Sequence, residues 1–306
     1  MIRASIDIGT NSVLLLVADT TDSGLKVIHE EQNIPRLGQG VDQSGALSDA
    51  ARNRVLDVLA TYRSYLDRKY PSIASETLVT ATSAVRDASN RKEFLENIKG
   101  QTGWDVILLS GNEEAQVTYR GALSVIDIEK SGGENVVLDI GGGSTEIAIG
   151  SGKTLSEFAS LNMGSVRFTE RFLKNDPPLS NEVKDARNEI VKMLEEGAKV
   201  PVSSKNLIGV AGTVTSMAGL ELELDTYDTS KINGHRCSRD FIESKIEEFQ
   251  SLTSEEIEQT YPVFLKGRGD VITAGLLILS EFMSWANFEN VVVSTGGIRH
   301  GILLQE

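Results

Sequence analysis

The 306-residue chain is expected to adopt an α/β fold. Short apolar runs that end in glycine turns alternate with amphipathic helical stretches, the pattern of strands and helices packed in layers. One strand-then-turn motif occurs twice, as Asp7-Ile8-Gly9-Thr10-Asn11-Ser12 and as Asp139-Ile140-Gly141-Gly142-Gly143-Ser144-Thr145-Glu146. Between the two lies a polar stretch, residues 129–134, containing Ser131-Gly132-Gly133, after which the same order of elements restarts. Two domains are therefore expected, residues 1–128 and residues 129–306, each with a mixed sheet and flanking helices.

In the first half, residues 2–8, 13–19 and 25–31 read as a strand meander. Ser48 is placed to cap a helix whose apolar stripe is Ala51, Val55, Leu59, Tyr62 and Leu66. Residues 77–81 form a strand, 91–99 a helix and 106–109 another strand. A helix over residues 113–126 follows the start signal Ser110-Gly111-Asn112. In the second half, residues 136–139 and 146–149 form a hairpin and 154–161 a third strand. Helices are expected over 165–173 and 181–199, then a buried strand over 207–211 that feeds a Gly212-Thr213-Val214-Thr215 loop. Two further helices, 241–251 and 270–286, precede a last strand at 291–294 that ends in Thr295-Gly296-Gly297-Ile298. Residues 301–306 are expected to form a helix that packs back on the first domain.

A single glycine turn of this kind is ordinary hairpin punctuation. Two in matching positions, each carrying an acid, bare glycine backbone and hydroxyls, point to a ligand. Glycine lets backbone N–H groups approach a phosphate, and consecutive N–H groups form an anion-binding concavity. An acid at the strand end suits a hard divalent cation.

Composition narrows the class. The chain is 40% hydrophobic and 24% charged, as a globular protein is. No apolar run approaches the ~20 residues of a membrane span, and the early first strand leaves no room for a leader, so a cytoplasmic location is expected. The one cysteine, Cys237, excludes an intrachain disulfide and is expected to exclude a Cys-based zinc site. A net charge of −14 disfavours nucleic acid as a partner. A polyanion would have to be held by local cations, backbone N–H groups and metal.

The motif set resembles the exopolyphosphatase and guanosine-pentaphosphate phosphohydrolase (Ppx/GppA) family, within the superfamily of actin and the sugar kinases. The two glycine loops carry only the superfamily likeness. The family likeness rests on Thr80-Ala81-Thr82-Ser83-Ala84-Val85-Arg86, Ser110-Gly111-Asn112-Glu113-Glu114-Ala115, Gly209-Val210-Ala211-Gly212-Thr213 and Arg268-Gly269-Asp270 beside those loops. The resemblance implies two actin- or ribonuclease H-like domains with a ligand cleft between them. It implies release of terminal orthophosphate from inorganic polyphosphate, guanosine pentaphosphate (pppGpp), or both. Larger members carry further C-terminal domains, so processive degradation of very long polyphosphate is not expected of this two-domain core.

The same resemblance assigns roles. Glu114 is the catalytic acid that positions the attacking water, while Glu113 is structural. Asp139, Glu146 and, by analogy of position, Asp7 hold Mg2+ or another divalent cation. Phosphate falls to Gly9, Thr10, Asn11 and Ser12 in one loop, Gly141, Gly142, Gly143, Ser144 and Thr145 in the other, with Arg86, Gly212 and Thr213. Arg268 and Asp270 are divided between structural and ligand roles, and His235 and His300 are left outside the catalytic set. An ATP-dependent kinase would share the loops but would need a sugar-binding constellation. A non-hydrolytic phosphate or nucleotide sensor would not need Glu114. The lobes are expected to close on the ligand about a hinge at 129–134, and a homodimer is the default oligomer.

Overall fold

The strand order of the first half returns in the second. The computed structural model describes residues 1–21, 24–127, 134–200 and 206–305, so the expected join at 129–134 lies almost wholly outside the described residues. In the first half, strands β1 (Ile2–Ile8), β2 (Val13–Thr21), β3 (Gly24–Asn33), β4 (Leu78–Ala81) and β5 (Val106–Leu108) form one sheet in the order β3-β2-β1-β4-β5. In the second, β6 (Asn135–Ile140), β7 (Thr145–Ser151), β8 (Thr154–Leu161), β9 (Asn206–Val210), β10 (Arg236–Ser238) and β11 (Asn290–Val293) form the order β8-β7-β6-β9-β11-β10. In each sheet a three-stranded antiparallel meander continues into parallel strands, β1 beside β4 and β6 beside β9. The added β10 runs antiparallel at the far edge.

Thirteen helices are present among the described residues. In the first half they are α1 (Val41–Ser44), α2 (Asp49–Lys69), α3 (Ser83–Asp87), α4 (Arg91–Thr102) and α5 (Gly111–Ser124). The second half has α6 (Ser165–Phe172), α7 (Ser180–Gly197), α8 (Ala211–Glu221), α9 (Thr229–Ile232), α10 (Arg239–Phe249), α11 (Ser254–Thr260), α12 (Gly269–Trp285) and α13 (Ile298–Leu303). Helix α2 buries the stripe read from the sequence, and the Ser48 side chain accepts the N–H of Ala51 at its start. None of the helices is long and apolar enough to cross a membrane.

Three of the differences from expectation bear on the cleft and on the contact between the halves. The strand expected to run to 211 ends at Val210, and residues 211–215 open α8. Their glycine and β-branched residues are poor helix formers, but seven residues of α8 are buried and packing overrides propensity. The last helix is Ile298–Leu303, not 301–306, because Gly297 starts it earlier. The 113–126 helix begins two residues sooner, at Gly111 behind its Ser110 cap.

The last helix of each half lies on the other half's sheet. Ala115, Tyr119 and Ala122 of α5 pack against Val137, Ala148, Ile208 and Val210 of the second sheet. Ile298, Ile302 and Leu303 of α13 pack against Leu16 and Ala18 of the first. The two helices meet where only glycine fits. A Cβ on Gly121 would lie 2.0 Å from the Gly297 carbonyl oxygen, and one on Gly301 would lie 1.8 Å from that of Val117. Serine side chains bind the exchange at each end: Ser5 donates to Arg299 O at 2.6 Å, and Ser294 donates to Ala122 O at 2.8 Å.

Ion pairs lace the outer rim between the halves. Arg167 of α6 reaches Asp42 of α1, and it reaches Asp87 of α3 at 2.6 Å. Arg171 forks onto both Asp42 oxygens at 2.6 and 2.7 Å, and Arg36 pairs with Asp270. These contacts hold the Asp42 carboxyl below its usual range, the Arg171 hydrogen bond contributing most.

The α5–α13 contact gives the fold its most direct test. Gly301→Ala should lower stability to chemical denaturation by at least about 2 kcal/mol, since overpacking against backbone has no side chain to yield. An unchanged denaturant midpoint would show that the two helices are not pressed together as described.

Candidate active site

Both hairpin turns close the same way. Gly9 N–H donates to Ser12 O at 2.9 Å, and Gly141 N–H donates to Ser144 O at 3.0 Å. Each turn follows an acid near the end of an inner strand of its sheet, Asp7 on β1 and Asp139 on β6. Asp139 and Glu146 are direct partners across the β6–β7 ladder, which places both carboxylates on one face of the hairpin. The two loops touch across the gap between the sheets. A Cβ on Gly142 would stand 2.9 Å from Thr10 Cβ, and one on Gly143 would stand 2.5 Å from Ser83 Oγ.

The start of α5 sorts its two adjacent acids. Ser110 and Glu113 form a reciprocal capping box, with Ser110 N–H donating to Glu113 Oε2 at 2.8 Å and Glu113 N–H to Ser110 Oγ at 3.3 Å. That geometry spends Glu113 on the helix terminus and turns Glu114 inward, where it is only 5% exposed. Arg86 Nη1 donates to Glu114 Oε2 at 2.9 Å and to Leu109 O at 2.9 Å, bracing the carboxylate from behind. The positive end of α5 adds favourable potential there.

Four carboxylates thus share one buried region. Asp7 accepts from Thr80 Oγ1 at 3.3 Å, Asp139 from Thr118 Oγ1 at 3.1 Å and Glu146 from Ser160 Oγ at 2.6 Å. Among the described residues, Glu146 Oε2 and Asn11 Oδ1 are buried with no hydrogen-bond partner. Burial, then the charge of Asp139, raises Asp7 to about 7 and Glu146 to about 8. Burial raises Asp139 to about 6. Glu114 is pushed well up by burial and then by Glu146, with Arg86 opposing. The cluster is short of positive charge and rich in oxygen donors, a set that suits a hard divalent cation.

The cleft between the sheets encloses about 980 Å³ including its open mouth. Its wall contains Asp7, Gly9, Thr10, Asn11, Ser12, Glu114, Asp139, Gly141, Gly142, Ser144, Gly212 and Thr213, all expected from the sequence. Arg86, Gly143, Thr145 and Glu146 stand behind the wall. Arg86 holds Glu114, Gly143 packs on Ser83, and Thr145 turns its hydroxyl to Met163 O. Thr10 Oγ1 and Ser83 Oγ share a hydrogen bond at 2.9 Å. Asp270 is taken up by Arg36 on the rim, and His300 is buried and held neutral by burial.

Other wall residues carried little or no signal in the sequence. Ser83 lies inside the 80–86 motif, and the segment 295–298 is a third strand-then-glycine turn, so both were visible as pattern. Tyr227 and Arg299 stand in no motif and reach the cleft only through folding. Ala211 takes a left-handed φ of 68° where β9 turns into α8, a backbone strain placed at the cleft wall. Arg268 is the notable cation. Its guanidinium is half-buried in the wall, desolvation lowers its pKa, and no carboxylate pairs with it among the described residues.

The chain matches the Ppx/GppA phosphatase family over residues 16–306. A bifunctional 3-dehydroquinate synthase/phosphatase of Fusobacterium nucleatum is 33% identical to it over 99% of this chain, which spans 46% of that protein. Exopolyphosphatase 2 of Mycobacterium tuberculosis is 33% identical, with 98% of this chain aligned to 97% of that one. Among solved structures, the Aquifex aeolicus member of the Ppx/GppA family superposes with a TM-score of 0.82 at 33% identity, covering 99% of this chain and 96% of its own. With the family's match running over nearly the whole chain and both sheets superposing on a solved member, the chain belongs to the Ppx/GppA phosphatase family and is a phosphohydrolase.

Proposed function

We propose that the chain releases terminal orthophosphate from a linear phosphoanhydride, inorganic polyphosphate or pppGpp, in the cleft between its two sheets. The observation that carries this reading is the convergence of Glu114, Asp7 and Asp139 with two glycine-turn loops on one cleft, with Glu146 buried beside them behind its wall. Relatives named exopolyphosphatase and guanosine-5'-triphosphate,3'-diphosphate pyrophosphatase support both substrate classes.

In this reading the terminal phosphate lies between the Gly9–Ser12 and Gly141–Ser144 turns, whose N–H groups and hydroxyls receive its oxygens. Glu114 orients a water on the outer side of the phosphorus. As the new P–O bond forms and the bridging P–O bond breaks, the water's proton passes to the Glu114 carboxylate. Burial raises the proton affinity of Glu114, which suits it to that step, and Arg86 keeps its carboxylate aimed. Asp7, Asp139 and Glu146 would hold a divalent cation such as Mg2+, which when bound supplies positive charge against the phosphate oxygens. The unpaired Arg268 guanidinium offers a second cation to phosphates further along the chain.

Glu114→Gln should lower kcat by about 10²–10⁴ with the fold intact by circular dichroism. Phosphate release would be measured on polyphosphates of graded length, pppGpp and ATP. A variant as active as wild type would remove Glu114 from the mechanism, and release from none of the substrates by wild type would overturn the hydrolase reading. Arg268→Ala should raise KM about tenfold or more with a smaller effect on kcat, the pattern of lost substrate binding.

The carboxylate pKa values set a pH dependence with a definite sign. Between about pH 4 and 8 the native cluster retains protons that the unfolded chain has released. Without a divalent cation, these groups therefore make the protein less stable as pH rises through that window. A cation needs the ionised forms, so the rise in Tm on adding Mg2+ should be larger at about pH 8 than at about pH 6. A rise independent of pH would show that these acids do not bind the ion.

A further inference from the structure

At the outer edge of the second sheet, away from the carboxylate cluster, three side chains with metal-binding donors converge. β10 pairs with β11, with Cys237 opposite Val291. The chain just before it is pinned too: Gly234 N–H donates to Val293 O, and Val293 N–H to His235 O, each at 2.8 Å. His235 and Cys237 are two residues apart on this extended run and share a face. Glu221, the last residue of α8, lies against that face. Its Oε2 is 2.7 Å from His235 Nε2. One donor atom from each residue, sulfur, imidazole nitrogen and carboxylate oxygen, lies within 4.8 Å of the others.

The surroundings suit an ion. Cys237 is fully buried and forms the floor, while the His235 and Glu221 side chains are 21% and 23% exposed. Solvent therefore reaches one side of the cluster. Two ligands sit on a hydrogen-bonded strand and the third at a helix end, so each is held before a metal arrives. A thiolate, an imidazole and a carboxylate match the donor preference of zinc, which accepts three protein ligands with water in a fourth position.

We propose that Glu221, His235 and Cys237 form a zinc-type metal site distinct from the carboxylate cleft. On binding, a metal–sulfur bond replaces the thiol S–H, and the proton leaves to solvent. The ion ties the last turn of α8 to the sheet edge. The first turn of that helix carries Gly212 and Thr213 into the cleft wall, so the site fixes an element that the catalytic cleft uses. The mixed ligand set is why a single cysteine suffices: the sequence lacks a cysteine pair, and only the fold brings the other two donors to Cys237.

Cobalt is the probe, because it reports its ligands by absorption. The full chain, stripped with a chelator, is titrated with CoCl2 and then with ZnCl2. The expected result is a near-ultraviolet thiolate-to-cobalt band that saturates at one equivalent and is bleached by zinc. It should be absent from Cys237→Ser, and the affinity should fall at least about tenfold in both His235→Ala and Glu221→Gln. Cobalt held by the cleft carboxylates has no thiolate and gives no such band. If Cys237→Ser does not fold, Glu221→Gln decides, since its amide retains the volume and a hydrogen bond. No thiolate band on folded wild type, or a band of undiminished affinity in His235→Ala and Glu221→Gln, would overturn the proposal.

Discussion

Asp7, Glu114 and Glu146 all lie within Coulombic reach of Asp139, in a region where burial alone raises the proton affinity of all four. Such a cluster opposes folding unless neighbours or a bound ion offset it. The fold meets part of the cost locally. Thr80, Thr118 and Ser160 each donate a hydroxyl hydrogen bond, Arg86 pairs with Glu114, and the N-terminus of α5 faces the cluster. Glu146 Oε2 remains without a partner among the described residues. The residual need for positive charge is the deficit that the proposed cation would meet, so in that proposal stability and function draw on the same feature.

Holding the cluster together requires that the two sheets stay close, and two kinds of contact do this. One is steric: α5 and α13 exchange sheets and meet backbone to backbone at Gly121 and Gly301. The other is electrostatic, the rim network of Arg36, Arg167 and Arg171 with Asp42, Asp87 and Asp270. Individual pairs at partly exposed positions are worth little, about 0–1 kcal/mol each. Separating the sheets would break several of them together while leaving each sheet's own core intact. The rim is thus the part of the interface that salt can loosen, whereas the helix exchange is insensitive to it.

Local physics made much of this legible in sequence. The α2 stripe behind its Ser48 cap, the Ser110-Gly111-Asn112 helix start and the two hairpins with their acids are local patterns, each decided by residues a few positions apart. The repeated strand order followed from the repeated loop. The start of α8 was not legible, because its glycine and threonine residues have weak helix propensity and burial on several sides decides the matter. The gap between the wall residues and those behind them was equally hidden. Arg86, Gly143, Thr145 and Glu146 belong to the right motifs, yet whether a side chain faces the ligand or its support depends on packing from the opposite sheet.

By itself the sequence determined the α/β class, the duplicated meander, the two phosphate-type turns and the acids that follow the strands, since periodicity, capping and turn chemistry act over short range. Tertiary structure alone decided what those pieces face. It brought Tyr227, Arg268 and Arg299 to a cleft begun more than two hundred residues earlier, crossed α5 and α13 between sheets, and set Glu221 beside His235 and Cys237. Such placements come from long-range contacts whose partners are chosen by the fit of whole surfaces, and no spacing along the chain encodes that fit.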